Sequence, residues 1–359
     1  MKRIVLGLLM LLFLCGCQKA VRNNNEIPTK PPDNSSSSSN IQDKINDYFP
    51  YNKDTIVYYK GIGNEYAQKD VSVDFIKGNR IQLRTNNGGT VTVKVLEKEA
   101  GELRLLYTRG ECYYREDLTN TNNLKPEILL KEPLIKGTSW ILPDGKKRYI
   151  SEVNMKIQTP MGAYKAIEVT TENEKDKDIT HDYYVKNVGM VKNEFITNGQ
   201  TISSSLEKIE KNVPVKQTMR FYYPYFEKEI IAYVEKNISL KTNDTIAEVL
   251  ETQMKEKLND NLSYVLSKNV TIKKLSLDVA KNQVTVDFSK DLVTGMNAGA
   301  GFEGMLLDSI VDTLGNYYGA DKVYITIEGE PYSSALNEKV NSSMALLLDC
   351  ARLNSVIEV

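Results

Sequence analysis

The stretches VTVDFS at 284–289, GAGFEG at 299–304 and VYITIEG at 323–329 decide the fold of the C-terminal part of the chain. The first and the last have the apolar pattern of short strands. The glycine-rich stretch opens a predicted helix to about residue 318. Apolar side chains follow one stripe of this helix, at Phe302, Leu306, Ile310, Leu314 and Tyr317. A strand, a helix and a strand in this order predict a compact α/β module.

The segments around this core complete a predicted module between residues 213 and 334. Thr245 and Glu248 have the spacing of a capping box, which introduces a second amphipathic helix. Strands are predicted at 218–223, 230–234, 272–279, 284–288 and 323–327. We expect two helices to cover one face of a small mixed sheet.

Residues 46–210 have a hydrophobic period of two, which is typical of half-buried strands. Ile81 and Leu83 alternate with polar neighbours, and the turn at 86–89 leads into a second alternating run. Further strands are predicted at 91–95, 103–107, 112–115, 149–157, 163–170, 183–188, 190–195 and 201–206. We therefore predict an antiparallel all-β domain, as a curved sheet or a sandwich, in a protein that is α+β as a whole.

The composition limits the classes of partner. The 359 residues include 46 basic and 47 acidic side chains, which gives a net charge of -1. This balance provides no overall positive charge that would attract nucleic acid. Hydrophobic residues make up 41% of the chain and charged residues 26%, which is the balance of a folded, water-exposed protein.

The N-terminus predicts export. Residues 1–17 combine a basic start, an apolar run and a small residue before a cysteine, as in a signal peptide. The tetrad LCGC at 14–17 resembles the bacterial lipobox, which implies cleavage before Cys17 and attachment of diacylglycerol to its sulfur. An uncleaved anchor or a signal without lipid is the alternative. Residues 18–45 are polar and rich in proline and serine, so we predict a flexible linker.

The cysteine and histidine residues after the N-terminal segment are too isolated in sequence to form a recognisable metal-binding motif, so we expect no metal site. Cys112 and Cys350 lie far apart in sequence, and we expect both to be buried apolar residues. A disulfide bond between them is the alternative. His181 is the only histidine, and its acidic neighbours Asp178 and Asp182 predict a solvated loop.

Tyrosines occur in pairs at 58–59, 113–114 and 183–184. Neighbours on a strand point to opposite faces, so each pair is expected to place one ring in the core and one outside. Packing accounts for these rings, with an aromatic platform for sugar or peptide as the alternative. A hydrophobic cavity inside a curved sheet, as in lipid-carrying folds, is a further hypothesis.

Five segments resemble the GerMN domain of sporulation and spore germination lipoproteins. They are FYYP at 221–224, TIAEVL at 245–250, VTVDFS at 284–289, SIVDTL at 309–314 and VYITIEG at 323–329. The resemblance implies an envelope protein whose motif residues are structural, namely Asp287, Phe288, Ser289, Gly301, Glu303 and Gly329. Proteins of the namesake type carry two such domains in tandem, whereas this chain has one. In the β domain, three segments resemble an all-β domain of other bacterial lipoproteins, namely LIKGTSW at 134–140, TPMG at 159–162 and YYVKNVGMV at 183–191.

Two chemical alternatives involve the same region. The GAGFEG stretch fits the dinucleotide fingerprint Gly-x-Gly-x-x-Gly, with Glu328 downstream, but residues 289–298 separate it from the preceding strand, so we expect no cofactor. Asp287 and Glu328 lie near the ends of two strands and would suit a glycosidase if both lined one cleft. The resemblance implies instead that these acids cap turns or face solvent.

Together these patterns predict a lipid-anchored protein on the extracytoplasmic face of the cell membrane. We expect it to be a non-catalytic binding or assembly component of the envelope, in sporulation or spore germination, with envelope or sporulation proteins as partners and peptidoglycan as another. The alternatives are a cell-wall-binding or hydrolytic enzyme, and a carrier of a lipid or another hydrophobic ligand. The tail at 335–359 either packs as a helix or offers an apolar edge to a partner.

Overall fold

The computed structural model of the protein describes residues 43–173, 177–295 and 299–333, together with the backbone of residues 357–358. The first part of the described chain contains a short α-helix and twelve strands, with one 3-10 helix at Glu65–Ala67. They are α1 (Ile45–Tyr48), β1 (Thr55–Ile62), β2 (Lys69–Lys77), β3 (Arg80–Asn86), β4 (Val91–Glu99), β5 (Glu102–Arg109), β6 (Glu127–Lys131), β7 (Ser139–Ile141), β8 (Lys147–Thr159), β9 (Gly162–Glu172), β10 (Ile179–Val185), β11 (Gly189–Thr197) and β12 (Gln200–Lys211).

These twelve strands form one antiparallel sheet in the order β6-β5-β4-β3-β2-β1-β12-β11-β10-β9-β8-β7. Two six-stranded meanders are joined where β1 pairs with β12, from Thr55 opposite Lys211 to Ile62 opposite Ser203. A sheet of this width curls because its strands twist. The β region is therefore a single curved sheet and not a sandwich, and we call it the near-barrel.

The two edge strands of the near-barrel, β6 and β7, meet through side chains. Trp140 Nε1 of β7 and Arg148 Nη1 of β8 both donate hydrogen bonds to the Ile128 carbonyl of β6, at 2.9 and 2.8 Å. Arg148 Nη2 also pairs with Glu127 Oε1 at 2.9 Å. These interactions provide partners for the edge strand β6, which would otherwise present unpaired backbone groups. We call this closure the seam.

The second part of the described chain has two sheets. Its elements are β13 (Val215–Tyr225), β14 (Ile230–Leu240), α2 (Ile246–Met254), β15 (Ile272–Asp278), β16 (Gln283–Phe288), α3 (Asp291–Thr294), α4 (Ala300–Tyr318), β17 (Lys322–Ile327), β18 (Glu330–Pro331) and β19 (Ile357–Glu358). β15 to β18 form a mixed sheet in which β16 runs parallel to β17. The hairpin β13–β14 forms a separate sheet with β19.

The α+β fold class is therefore as predicted, whereas the expectation of one mixed sheet is wrong for the hairpin. The reason is the position of α4, which packs against the hairpin and also against β16 and β17. The predicted capping box of α2 is present, since Thr245 and Glu248 each accept a hydrogen bond from the other's backbone amide. No helix within the described ranges is long and apolar enough to span a membrane.

One hydrophobic core extends through both parts of the molecule. Val93 of β4, Cys112 and Tyr114 belong to the same buried cluster as residues of α2, α4 and the mixed sheet. The ring of Tyr114 lies 5.2 Å from the ring of Tyr318 at the end of α4, measured between centroids. The near-barrel and the second part are thus packed together through apolar side chains.

Arg115 adds polar contacts to this junction. It is 3% exposed, and its Nη1 pairs with the fully buried Asp74 of β2 at 3.3 Å. Its Nε donates to the Asp244 carbonyl before α2 at 2.9 Å, and its backbone amide donates to the Tyr317 hydroxyl at 2.8 Å. The predicted strand at 112–115 is wrong, because this segment leaves the sheet and is held between the two parts.

Candidate functional site

Asp287 lies near the end of β16 and fixes the turn after the neighbouring strand β17. Its Oδ1 accepts hydrogen bonds from the Thr326 hydroxyl and from the Gly329 amide, both at 2.7 Å. Gly329 has a φ of +87°, which glycine adopts without strain because it lacks a Cβ. The carboxylate of Asp287 is therefore engaged in a turn.

Glu328 occupies the same turn and is exposed. Its carboxylate pairs with Lys273 and accepts a hydrogen bond from the Lys290 amide at 3.1 Å. The hydrogen bond from Lys273 lowers the pKa of Glu328. Because β16 and β17 are parallel neighbours, Asp287 and Glu328 lie at the same edge of the sheet, and each is held by other protein groups.

The other residues of the predicted motif have different surroundings. Phe288 is fully buried in the core, and Glu303, 2% exposed, accepts a hydrogen bond from the Tyr332 hydroxyl at 2.7 Å. Ser289 Oγ accepts a hydrogen bond from the backbone amide that precedes β15. Gly301 is exposed in the first turn of α4, where nothing lies within 4 Å of an added Cβ. Space alone therefore does not require glycine at 301.

The glycine-rich stretch begins α4 without following a strand directly. Gly299 is the residue before the helix, and α3 lies between it and β16. A dinucleotide-binding turn needs its first glycine at the strand end, so that the helix N-terminus meets the pyrophosphate. The geometry at 299–304 differs from that arrangement.

His181 lies on β10, so the prediction of a solvated loop is wrong. Its Nδ1 is 3.0 Å from the Thr170 hydroxyl on the paired strand β9. Cys112 is a buried free thiol, as predicted, whereas Cys17 and Cys350 lie outside the described residues. Within the described ranges, no three acidic, histidine or cysteine side chains lie close enough together to hold a metal ion.

The tyrosine pairs follow the prediction in part. Tyr114 is buried while Tyr113 is 52% exposed, but residues 112–115 form no strand, so strand alternation does not account for this difference. Tyr183 and Tyr184 are both buried, and they belong to two different apolar clusters. These buried rings contribute to packing.

A cavity of about 600 Å³ lies inside the near-barrel. Alternate residues of successive strands line it, among them Val57 and Tyr59 of β1, Val71 and Val73 of β2, and Ile81 and Leu83 of β3. This volume is in the range of small-molecule sites in proteins. The carrier hypothesis requires a cavity in the β region, and the structure contains one.

The second part of the chain contains a domain of known family. Residues 220–333 match the family model of the Germane domain, described as sporulation and spore germination, so this region is a Germane domain. The resemblance to GerMN domains predicted from the sequence is confirmed by this match. No curated protein sequence matches the chain significantly.

Solved structures with similarity to this chain include GerMN domains. The first GerMN domain of the sporulation protein GerM from Bacillus subtilis is 19% identical, with 32% of this chain and 86% of that chain covered and a TM-score of 0.26. The tandem GerMN domains of the same protein are 18% identical, with 33% of this chain and 41% of that chain covered and a TM-score of 0.27. A protein with a YmcC-like fold from Bacteroides fragilis is 13% identical, with 46% and 99% covered and a TM-score of 0.28.

Proposed function

We propose that the protein is a lipid-anchored, extracytoplasmic component of the cell envelope that acts by binding and assembly, without catalysis, in sporulation or spore germination. The Germane domain at 220–333 supports the cellular process. The LCGC tetrad at 14–17 supports attachment of lipid to Cys17. Envelope or sporulation proteins are the partners, and peptidoglycan is a further one.

The observation that carries the non-catalytic part is the engagement of Asp287 and Glu328. A glycoside hydrolase needs two carboxyl groups that flank a substrate and exchange protons or form a covalent bond. Asp287 instead accepts two hydrogen bonds that hold a turn, and Glu328 pairs with Lys273 on the exposed surface. This arrangement supports a structural role for both acids and favours binding over hydrolysis.

Replacement of the two acids in the organism that carries the gene tests the proposal. Cells with Asp287→Asn and Glu328→Gln are expected to sporulate and germinate at the rate of the parent, because the amide oxygens still accept hydrogen bonds. Cys17→Ala is expected to reduce either process, because the protein loses its anchor. The amount of folded protein is compared by immunoblotting in each strain.

Two results would contradict the proposal. A defect in the doubly substituted strain at unchanged protein level would indicate that the acids carry out chemistry. A deletion strain that sporulates and germinates normally would remove the assignment to these processes.

A further inference from the structure

The inner surface of the near-barrel is apolar at one end and charged further along. Phe49, which follows α1, lines the cavity together with the first inward-facing residues of β1. Val57 lies opposite Val71 of β2 and continues this apolar surface. At the next inward position of β1, Tyr59 lies opposite Lys69. Along β1 and β2 the apolar lining therefore gives way to charge in the direction away from α1, and on β4 Lys94 pairs with Leu83, the neighbour of Val73.

Five charged residues line the cavity, namely Lys69 of β2, Lys94 of β4, Glu127 of β6, Arg148 of β8 and Asp182 of β10. Glu127 and Arg148 form the ion pair of the seam, and we call the other three the charged end. Asn193 Nδ2 donates a hydrogen bond to Asp182 Oδ1 at 2.6 Å. Among the described residues, neither lysine Nζ lies within 4.0 Å of a carboxylate oxygen. Two ammonium groups beside one carboxylate give this end a net positive charge.

Lys69 and Asp182 are both partly buried. Burial lowers the pKa of Lys69 and raises the pKa of Asp182, as desolvation does for a cation and for an anion. An ammonium group in such surroundings is stabilised by a neighbouring anion. The charged end is thus suited to an anionic group that enters along an apolar passage.

We propose that the cavity binds one amphipathic lipid that has a single acyl chain and an anionic head group. The acyl chain lies along Val57, Val71 and Val73, and the head group lies between Lys69 and Lys94. The cavity volume of about 600 Å³ is that of a site for one small ligand. Carboxylate and phosphate head groups share the required chemistry. The site lies in the near-barrel and is independent of the proposed function of the Germane domain.

Binding of hexadecanoate, hexadecyl phosphate and uncharged hexadecanol to the purified full chain tests this inference. The chain carries Cys17→Ser, which keeps its own acyl group out of the sample, and binding is measured by calorimetry and native mass spectrometry. We expect one molecule of hexadecanoate or hexadecyl phosphate per chain, and binding of hexadecanol weaker by about tenfold or more, because it forms no charged hydrogen bond. The tighter of the two anions identifies the head group.

Substitutions locate the ligand. Lys69→Met with Lys94→Met is expected to weaken binding of the anions by about tenfold or more and to leave hexadecanol unchanged. Lys60→Met is the matched control, since Lys60 is exposed on β1 and does not line the cavity. Val71→Trp fills the passage and is expected to abolish binding of all three ligands.

Circular dichroism shows whether Val71→Trp folds. If it does not, the lysine variants still test the inference. Three outcomes overturn the inference: no binding to the wild-type chain, equal affinity for hexadecanol and hexadecanoate, or equal loss in the Lys60 control and the double lysine variant. None of these outcomes affects the proposed role of the Germane domain.

Discussion

Asp287 joins the end of β16 to the turn after β17 through two hydrogen bonds to one oxygen atom. Asp287→Ala removes this acceptor, and we expect the free energy of unfolding to fall by about 1–3 kcal/mol. Asp287→Asn keeps a side-chain oxygen and should lose less. Urea denaturation of both variants measures the difference. An equal loss for Ala and Asn would show that the charge, and not the acceptor, stabilises the turn.

Asp182 gives the stability of the near-barrel a specific dependence on pH. Burial raises the pKa of Asp182, so between its ordinary pKa and the raised value the folded chain binds this proton more tightly than the unfolded chain. The contribution of this group to stability therefore falls as pH rises through that window. Asp182→Asn should remove this part of the slope. Unfolding free energies of both proteins across the acidic range measure it, and identical slopes would contradict the assignment.

For single residues, the sequence shows whether a side chain is polar or apolar, but it is a poorer guide to where in the fold that side chain lies. His181 has the acidic neighbours Asp178 and Asp182, a pattern typical of a loop, yet His181 and Asp182 both lie on β10 and Asp178 directly precedes it. Tyr113 and Tyr114 differ in exposure although they lie outside the sheet, and strand alternation cannot show that Tyr183 and Tyr184 are both covered. Whether a side chain on the sheet is covered depends on residues that are distant in sequence. The cavity-facing charges Lys69 and Lys94 show no distinguishing local pattern for the same reason.

Among the elements, the seam depends on Arg148, which is buried and donates to Ile128 while it pairs with Glu127. We expect Arg148→Met to lower the free energy of unfolding by about 3 kcal/mol, the lower end for a broken buried pair because Glu127 is partly exposed. Faster hydrogen exchange of the β6 amides should accompany this loss. The control is Lys156→Met, at an exposed position of β8, the strand that carries Arg148. It should change neither the free energy of unfolding nor the exchange rates in β6.

An unchanged exchange rate in β6 of the Arg148→Met protein would show that the seam does not depend on this side chain. Trp140, whose indole donates to the same carbonyl, provides an independent check. Trp140→Phe keeps an aromatic ring and removes one hydrogen bond, so its effect should be smaller than that of Arg148→Met, about 1 kcal/mol.

Most strands of the near-barrel and the helices α2 and α4 could be predicted from periodicity and capping signals, because these are local properties of the chain. The pairing of β1 with β12 could not, since the two strands are far apart in sequence and no local signal specifies the pair. The segment at 112–115 has the apolar pattern of a strand, but its apolar residues pack between the two parts instead. The separate sheet of the hairpin likewise follows from the packing of α4.

For the whole molecule, the shared core predicts cooperative unfolding. Trp140 is the only tryptophan and reports on the near-barrel by fluorescence, while hydrogen exchange of α4 reports on the Germane domain. Both probes should give the same midpoint in urea, because Val93, Cys112 and Tyr114 pack with the second part. Arg115→Met should lower both midpoints together. Two separated transitions in the wild-type protein would show that the parts fold independently.

The proposed function places the molecule at a membrane, and its most direct test is chemical crosslinking of the full chain with Cys17 intact, in cells during vegetative growth and during sporulation. We predict crosslinks from the Germane domain at 220–333 to a second envelope protein or to another copy in sporulating cells, and their loss in Cys17→Ala cells. Recovery of monomer alone under both conditions would contradict a role in assembly.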